Sequence, residues 1–238
     1  MTYEELKIQL DLNEPVDVLK SIGKQTKDND WFVICDEGDC HLFDDNGNEI
    51  DIDKIKILYK QLIPKDIKKI IVPDSVEKIG GATFSNDKSL TSINIPNSVK
   101  IIGNSVFSWC ESLTSINIPD SIEKIKDAAF YGCEKLKSIT IPDSVKSIGD
   151  YAFARCENLT SINIPDSVKN IGYAAFALCE NLKSITIPDS IEHIKINVFY
   201  KCRSLKSLAF KGKTINQVKS MEDYPWGIED ESIIRCIN

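Results

Sequence analysis

Arginine is scarce in this chain: only Arg155, Arg203 and Arg235 occur among 238 residues, and 29 Lys+Arg stand against 36 Asp+Glu, a net charge of −7. A chain of that balance lacks the positive field that binds phosphate backbones, which argues against direct nucleic-acid binding. Histidine is scarcer still, with only His41 and His193, so no Ser/His/Asp or Cys/His set can be assembled. No Gly-rich loop that could cradle phosphate is present. No apolar run approaches the roughly eighteen residues a membrane-spanning helix needs, because Lys, Asp, Asn or Pro interrupts every Ile-rich segment. The first residues, Met-Thr-Tyr-Glu-Glu-Leu-Lys, carry acids where a secretory signal has a basic segment followed by an apolar run. That pattern predicts a cytosolic chain whose eight Cys are mostly free thiols. What is plentiful is apolar surface: 42% of the residues are hydrophobic, enough for a continuous core.

That apolar surface is periodic. Proline falls at 73, 96, 119, 142, 165 and 188, so successive units are 23 residues long and six of them fill residues 73–210. Counting from each Pro, Ser recurs at 75, 98, 121, 144, 167 and 190, then Val or Ile, then Ile at 79, 102, 125, 148, 171 and 194. Phe follows at 84, 107, 130, 153, 176 and 199, Cys at 110, 133, 156, 179 and 202, and Leu at 90, 113, 136, 159, 182 and 205. Each unit closes on an Ile-x-Ile alternation, or Leu208-x-Phe210 in the last, which reads as a short strand that Pro then stops. A unit this short buries its apolar face only against a copy of itself, so the units stack as coils in register. Their strands would form one long parallel sheet, six coils spanning roughly 29 Å. The Val-x-x-Ile segment opposite is too short for an ordinary helix, and the Ala-Phe step after it predicts a tight turn that drops Phe into the core.

The pattern Leu-x-x-Ile-x-Ile-Pro-x-Ser-Val-x-x-Ile-Gly-x-x-Ala-Phe-x-x-Cys, legible from Leu136 to Cys156, resembles the BspA-like class of leucine-rich repeats. The resemblance implies an adhesion or protein-interaction module. Periodicity and resemblance agree on a β-rich α/β solenoid, a leucine-rich repeat array with a parallel sheet and N- and C-terminal caps. Its divisions would be an acidic cap over 1–66, the solenoid over 67–210, and a C-terminal cap over 211–238.

In the leading segment, Thr2 with Glu5 forms a capping box for a helix over 3–10, and Val16–Ile22 reads as a second helix. Trp31–Cys35, Cys40–Phe43 and Glu49–Ile52 suggest an antiparallel meander, and Asp53 a cap for a helix near Lys54–Leu62. Ile67-x-x-Ile70-x-Val72 has the strand spacing of the repeat and enters the first coil. After the repeats, Thr214 reads as an N-cap, Tyr224–Gly227 as a turn and Ile233–Ile237 as a closing strand.

Candidate chemistry is thin. The Cys column sits one coil apart beside the Leu column, where thiols pack as small hydrophobes and the parallel register aims them poorly for bridging. Cys35, Cys40 and His41 have neither zinc-knuckle nor haem-attachment spacing. Asp44–Glu49 lacks the Gly and Glu of a calcium loop and reads as a hairpin turn. No catalytic residue, metal site or cofactor is therefore assigned, and the chain is read as non-enzymatic, with another protein as its partner.

Two surfaces could receive that partner. The outward sheet column Asn94, Asn117, Thr140, Asn163 and Thr186 is small and polar, and such ladders can hydrogen-bond from coil to coil; the face carries no aromatic or Arg anchor. The other surface is acidic. Residues 1–72 hold 16 acids against 10 bases, whereas residues 73–210 hold 15 of each. Asp28–Asp53 carries ten acids, including Asp36, Glu37, Asp39, Asp44, Asp45 and Glu49, with no Lys or Arg. Such a block suits docking on a basic surface, in the manner of an inhibitor covering a nucleic-acid-binding site on a host enzyme, as a phage or mobile-element protein would.

Overall fold

A computed structural model describes residues 32–35, 40–43, 57–58, 68–72, 74 and 76–237. Within them the 23-residue units are coils of a parallel β-solenoid. One ladder follows the predicted strands: Lys69–Ile71 pairs with Ser92–Asn94 and that with Ser115–Ile116, in register at Ile70, Ile93 and Ile116. Single bridges from Asn117 to Thr140 and from Thr140 to Asn163 carry it onward. It then continues through Ser161–Asn163, Ser184–Ile187 and Ser207–Lys211 to Ile234–Ile237. Pairing partners lie 23 residues apart between full coils because the period and the coil are the same thing.

The single predicted sheet is only half of the pairing. The far-side segment, expected merely to be non-helical, forms a second parallel ladder at Lys78–Ile79, Ile101–Ile102, Lys124–Ile125, Ser147–Ile148, Asn170–Ile171 and His193–Ile194, unpaired between Ile102 and Ile125. Two residues suffice for a strand here because the coils above and below already hold the backbone in register. The same ladder reaches back to Ile57–Leu58, which pairs in parallel with Lys78–Ile79. That corrects the helix expected near Lys54–Leu62: Ile57 and Leu58 extend an existing ladder, and pairing overrides a weak local preference.

The third side of each coil is a tight turn stacked on its copies. Phe84 N–H donates to Val106 O at 2.9 Å, Phe107 to Ala129 at 2.8 Å, Phe130 to Ala152 at 2.8 Å and Phe153 to Ala175 at 2.8 Å, while bonds such as Ser85 N–H to Ala82 O close the turn itself. Two residues per turn take left-handed φ, for example Tyr151 at 56° and Arg155 at 60°. Each costs about 1 kcal/mol or more as a non-glycine, offset by satisfying turn N–H and carbonyl groups that would otherwise be buried without partners.

The Phe rings point inward and stack along the axis. Phe84, Phe107, Phe130, Phe153, Phe176 and Phe199 are at most 1% exposed, and neighbouring centroids lie 5.2–6.1 Å apart with planes within 15°. Burying one such ring is worth about 1.5–3 kcal/mol. The Cys column is buried beside it, and each Sγ donates to the Phe carbonyl one coil back: Cys110 to Phe84, Cys133 to Phe107, Cys156 to Phe130, Cys179 to Phe153 and Cys202 to Phe176, at 3.1–3.2 Å. From Ser121 onward the Ser column works the same way, Ser144, Ser167 and Ser190 donating to Ile122, Val145 and Val168 carbonyls at 2.7 Å, whereas the Ser98 hydroxyl is buried without a partner.

Beyond Phe210, Thr214 caps the helix Ile215–Lys219, its side chain accepting from Gln217 N–H while the Gln217 side chain accepts from Thr214 N–H. Trp226 is fully buried against Phe210, and its carbonyl accepts from Phe199 N–H at 3.0 Å, the role Val198 plays for Phe176 one coil earlier. The closing strand is Ile234–Ile237, with Ile233 ending a 3-10 turn begun at Glu231. Among the described residues, no helix is long and apolar enough to cross a membrane.

Candidate functional site

A coil spends its apolar residues on the core, so whatever it offers a partner comes from positions the stack does not use. The first ladder places the predicted sheet-face residues in one column: Asn117, Thr140, Asn163 and Thr186 are successive partners, continued by Ala209 and Arg235, and Asn94 pairs with Ile71. Asn94, Asn117, Thr140 and Asn163 are exposed and Thr186 is half-buried. Their side chains make no hydrogen bonds among the described residues. Bonds between coils come from other columns, such as Thr91 to Lys68 O at 2.7 Å and Asn181 to Glu157 O at 2.9 Å. The expected side-chain ladder is thus not what holds these coils, since the pleat directs these groups outward, away from neighbouring carbonyls.

The acidic candidates Asp36, Glu37, Asp39, Asp44, Asp45 and Glu49 lie outside the described residues, as do the helices expected over 3–10 and 16–22 and the strand over 49–52. Between them, Phe32–Cys35 and Cys40–Phe43 pair antiparallel, with Cys35 opposite Cys40. His193 is exposed on the second ladder, its Nδ1 3.8 Å from Glu222.

A feature not anticipated from the residue columns lies on the turn side. Trp109, Tyr131, Tyr151 and Tyr173 form a chain of edge-to-face rings, with centroids 5.1, 6.4 and 5.1 Å apart and interplanar angles of 79°, 81° and 73°. Tyr131 and Tyr173 pack on a small apolar floor of Ala154, Ala174 and Ala177. Tyr151 is 41% exposed and crowns the ridge. The Arg155 guanidinium lies 5.4 Å from the Trp109 ring centroid, two coils away, with Glu157 3.8 Å from its Nη2.

Gly132 makes that reach possible. Its column-mates Trp109, Arg155, Leu178 and Lys201 carry side chains at φ of 56–63°, so φ does not demand glycine there. A Cβ on Gly132 would stand 2.7 Å from the Trp109 ring, which lies across the bare backbone toward Arg155. The carboxylates alongside are held by the fold: Asp127 Oδ1 accepts from Asp150 N–H at 3.0 Å and Asp150 Oδ1 from Tyr173 N–H at 2.7 Å. Burial and the neighbouring Tyr173 push the Tyr151 hydroxyl pKa up, with the Asp150 charge adding to the shift.

The signal for the ridge was present but oblique. Successive rings are separated by 22, 20 and 22 residues and not by 23, so they occupy no column and drift diagonally across the coils.

Comparison with known proteins adds a lineage. The profile described as a BspA type leucine rich repeat region matches six copies over residues 62–138 and 100–224. No curated protein is detectably similar in sequence. Among solved structures, the leucine-rich repeat protein of T. pallidum is 30% identical with a TM-score of 0.58, covering 61% of this chain and 74% of its own. A leucine-rich repeat protein from Bacteroides ovatus is 30% identical with a TM-score of 0.65, covering 78% of this chain and 46% of its own. The pneumococcal vaccine antigen PcpA shares the fold at 19% identity with a TM-score of 0.58, over 87% of this chain and 48% of its own. The chain thus spans under half the length of the latter two.

Proposed function

Because this chain belongs to the BspA-type leucine-rich repeat family, we propose that it is a non-enzymatic module that works by binding another protein. The observation that carries this reading is the division of labour within each coil. Apolar, Cys and Ser columns are consumed by stacking, while the side chains of the aligned Asn94, Asn117, Thr140, Asn163 and Thr186 column stand outward and make no hydrogen bond among the described residues. Surfaces freed from structural duty are what a repeat array offers a partner. Enlarging two of these side chains by Asn117→Arg and Asn163→Arg tests it. Affinity capture should lose its specific partner with the melting temperature unchanged; unaltered capture argues that the sheet face is not the contact.

A second reading rests on the charge. Residues 1–72 carry −6 of the net −7, and the run from Asp28 to Asp53 has no base, a distribution that supports an inhibitor docking on a basic, nucleic-acid-binding surface of a target enzyme. Changing Asp36, Glu37, Asp39, Asp44 and Asp45 to Asn or Gln should abolish a salt-sensitive interaction. Binding that is equally strong and insensitive to salt in that variant rejects it.

A further inference from the structure

We propose that the aromatic ridge on the turn side, Trp109, Tyr131, Tyr151 and Tyr173 with Arg155, is a docking surface for a basic polypeptide segment of a protein partner, whose Lys or Arg side chains lie against the tyrosine rings between Asp127 and Asp150. This deepens the interaction-module reading and rests on it.

The rings are not needed by the fold. At the turn positions held by Trp109, Tyr131 and Tyr151, other coils carry Asn86, Ser108 and Ala128, and their turns stack on the next coil with the same bonds, such as Asn86 N–H to Ser108 O and Ala128 N–H to Asp150 O at 2.8 Å. Four large rings gathered on a surface whose structural positions accept Ser or Ala are an excess with respect to stacking. Trp, Tyr and Arg are also the side chains that dominate binding energy at protein interfaces. Edge-to-face packing along the chain of rings, with Tyr131 and Tyr173 seated on the Ala154, Ala174 and Ala177 floor, fixes them before a partner arrives, so little side-chain freedom remains to be lost on binding.

Charge selects the partner. On this side of the molecule ring faces already collect cations: Arg155 over Trp109 at 5.4 Å and Lys201 over Tyr200 at 5.1 Å. Tyr131, Tyr151 and Tyr173 carry no such cation among the described residues. Asp127 and Asp150 are pinned through one carboxylate oxygen each to the backbone of the next coil, which leaves their charge fixed beside the ridge. Arg155 is offset by its own Glu157. A face of aromatic quadrupoles bordered by fixed carboxylates attracts ammonium and guanidinium groups and repels acids. The acidic segment Asp28–Asp53 has the same preference, so both would favour one basic partner.

The test uses the full chain and two synthetic twelve-residue Gly/Ser peptides, one bearing four Arg and one four Glu, titrated calorimetrically at physiological salt. The Arg peptide should bind and the Glu peptide should not. Tyr151→Ala should weaken Arg-peptide binding about ten-fold, whereas Tyr151→Phe, which keeps the ring, should retain it; unchanged melting temperatures establish that both variants are folded. Equal binding of the two peptides, no binding of either, or full binding by Tyr151→Ala overturns the proposal. If binding survives Tyr151→Ala but is lost when Asp36, Glu37, Asp39, Asp44 and Asp45 are neutralised, the ridge is rejected while the interaction-module reading stands. Binding of a neutral oligosaccharide in place of the Arg peptide rejects the ridge as a polypeptide site.

Discussion

A thiol in a stacked coil is governed by burial and by one carbonyl. Cys110, Cys133, Cys156, Cys179 and Cys202 are buried free thiols, whereas Cys236 is exposed on the terminal strand. Burial pushes the Cys133, Cys156 and Cys179 thiols well above their ordinary value, and Cys202 from 9.0 up to about 12. The thiolate is the reactive form, so iodoacetamide at pH 8 should modify Cys236 and spare these five until urea unfolds the chain. Modification of the column at the rate of Cys236 in folded protein would contradict their burial. A group whose folded pKa is raised contributes stability that is complete below the unfolded value, near 9, and is withdrawn as pH climbs toward the folded one. The melting temperature should therefore fall between pH 9 and 12 more steeply than in a Cys202→Ala variant. The packing role of these Cys was legible in the sequence, because a residue repeating beside Leu every 23 positions must share its environment. The acceptor was not, since the Phe carbonyl it meets lies 26 residues away in the preceding coil.

Among the elements, the Phe stack and the turn that delivers it carry the coil. Phe153 sits between Phe130 at 5.2 Å and Phe176 at 5.4 Å and is fully buried. Phe153→Ala should cost about 3–5 kcal/mol by leaving a void that two rigid neighbours cannot collapse into. Phe153→Leu should cost less than half of that, and equal losses by urea titration would mean that ring stacking, not volume, sets the effect. The strand and the inward Phe were predictable from apolar alternation and the Ala-Phe step. The second ladder was not, because two-residue segments such as Ser147–Ile148 have no periodicity of their own and become strands only when flanked. Ile57–Leu58, within a segment whose local sequence predicts a helix, is a strand for the same reason.

At the scale of the molecule, each coil touches its neighbours and little else, so stability approximates a sum over coils and their interfaces. Deleting residues 142–164, one full unit, joins Ile141 to Pro165 in register. The shortened chain should fold with the same circular-dichroism spectrum, a smaller urea m-value and lower stability. Deleting 142–163 should instead disrupt it, since a one-residue slip turns every strand side chain to the opposite face. If both deletions fold alike, the coils are not held by register.

Much of this protein follows from its sequence alone. A 23-residue period with fixed Pro, Ser, Ile, Phe, Cys and Leu positions determines coil length, core composition and parallel stacking, because chemically identical columns can be buried together only in register. It also determines that the charge excess precedes the repeats. Tertiary structure alone decided where the rings and the arginine meet. Trp109 reaches Arg155 across Gly132, and Tyr131, Tyr151 and Tyr173 converge along a diagonal, because contact between coils depends on side-chain reach and turn geometry as well as on the repeat.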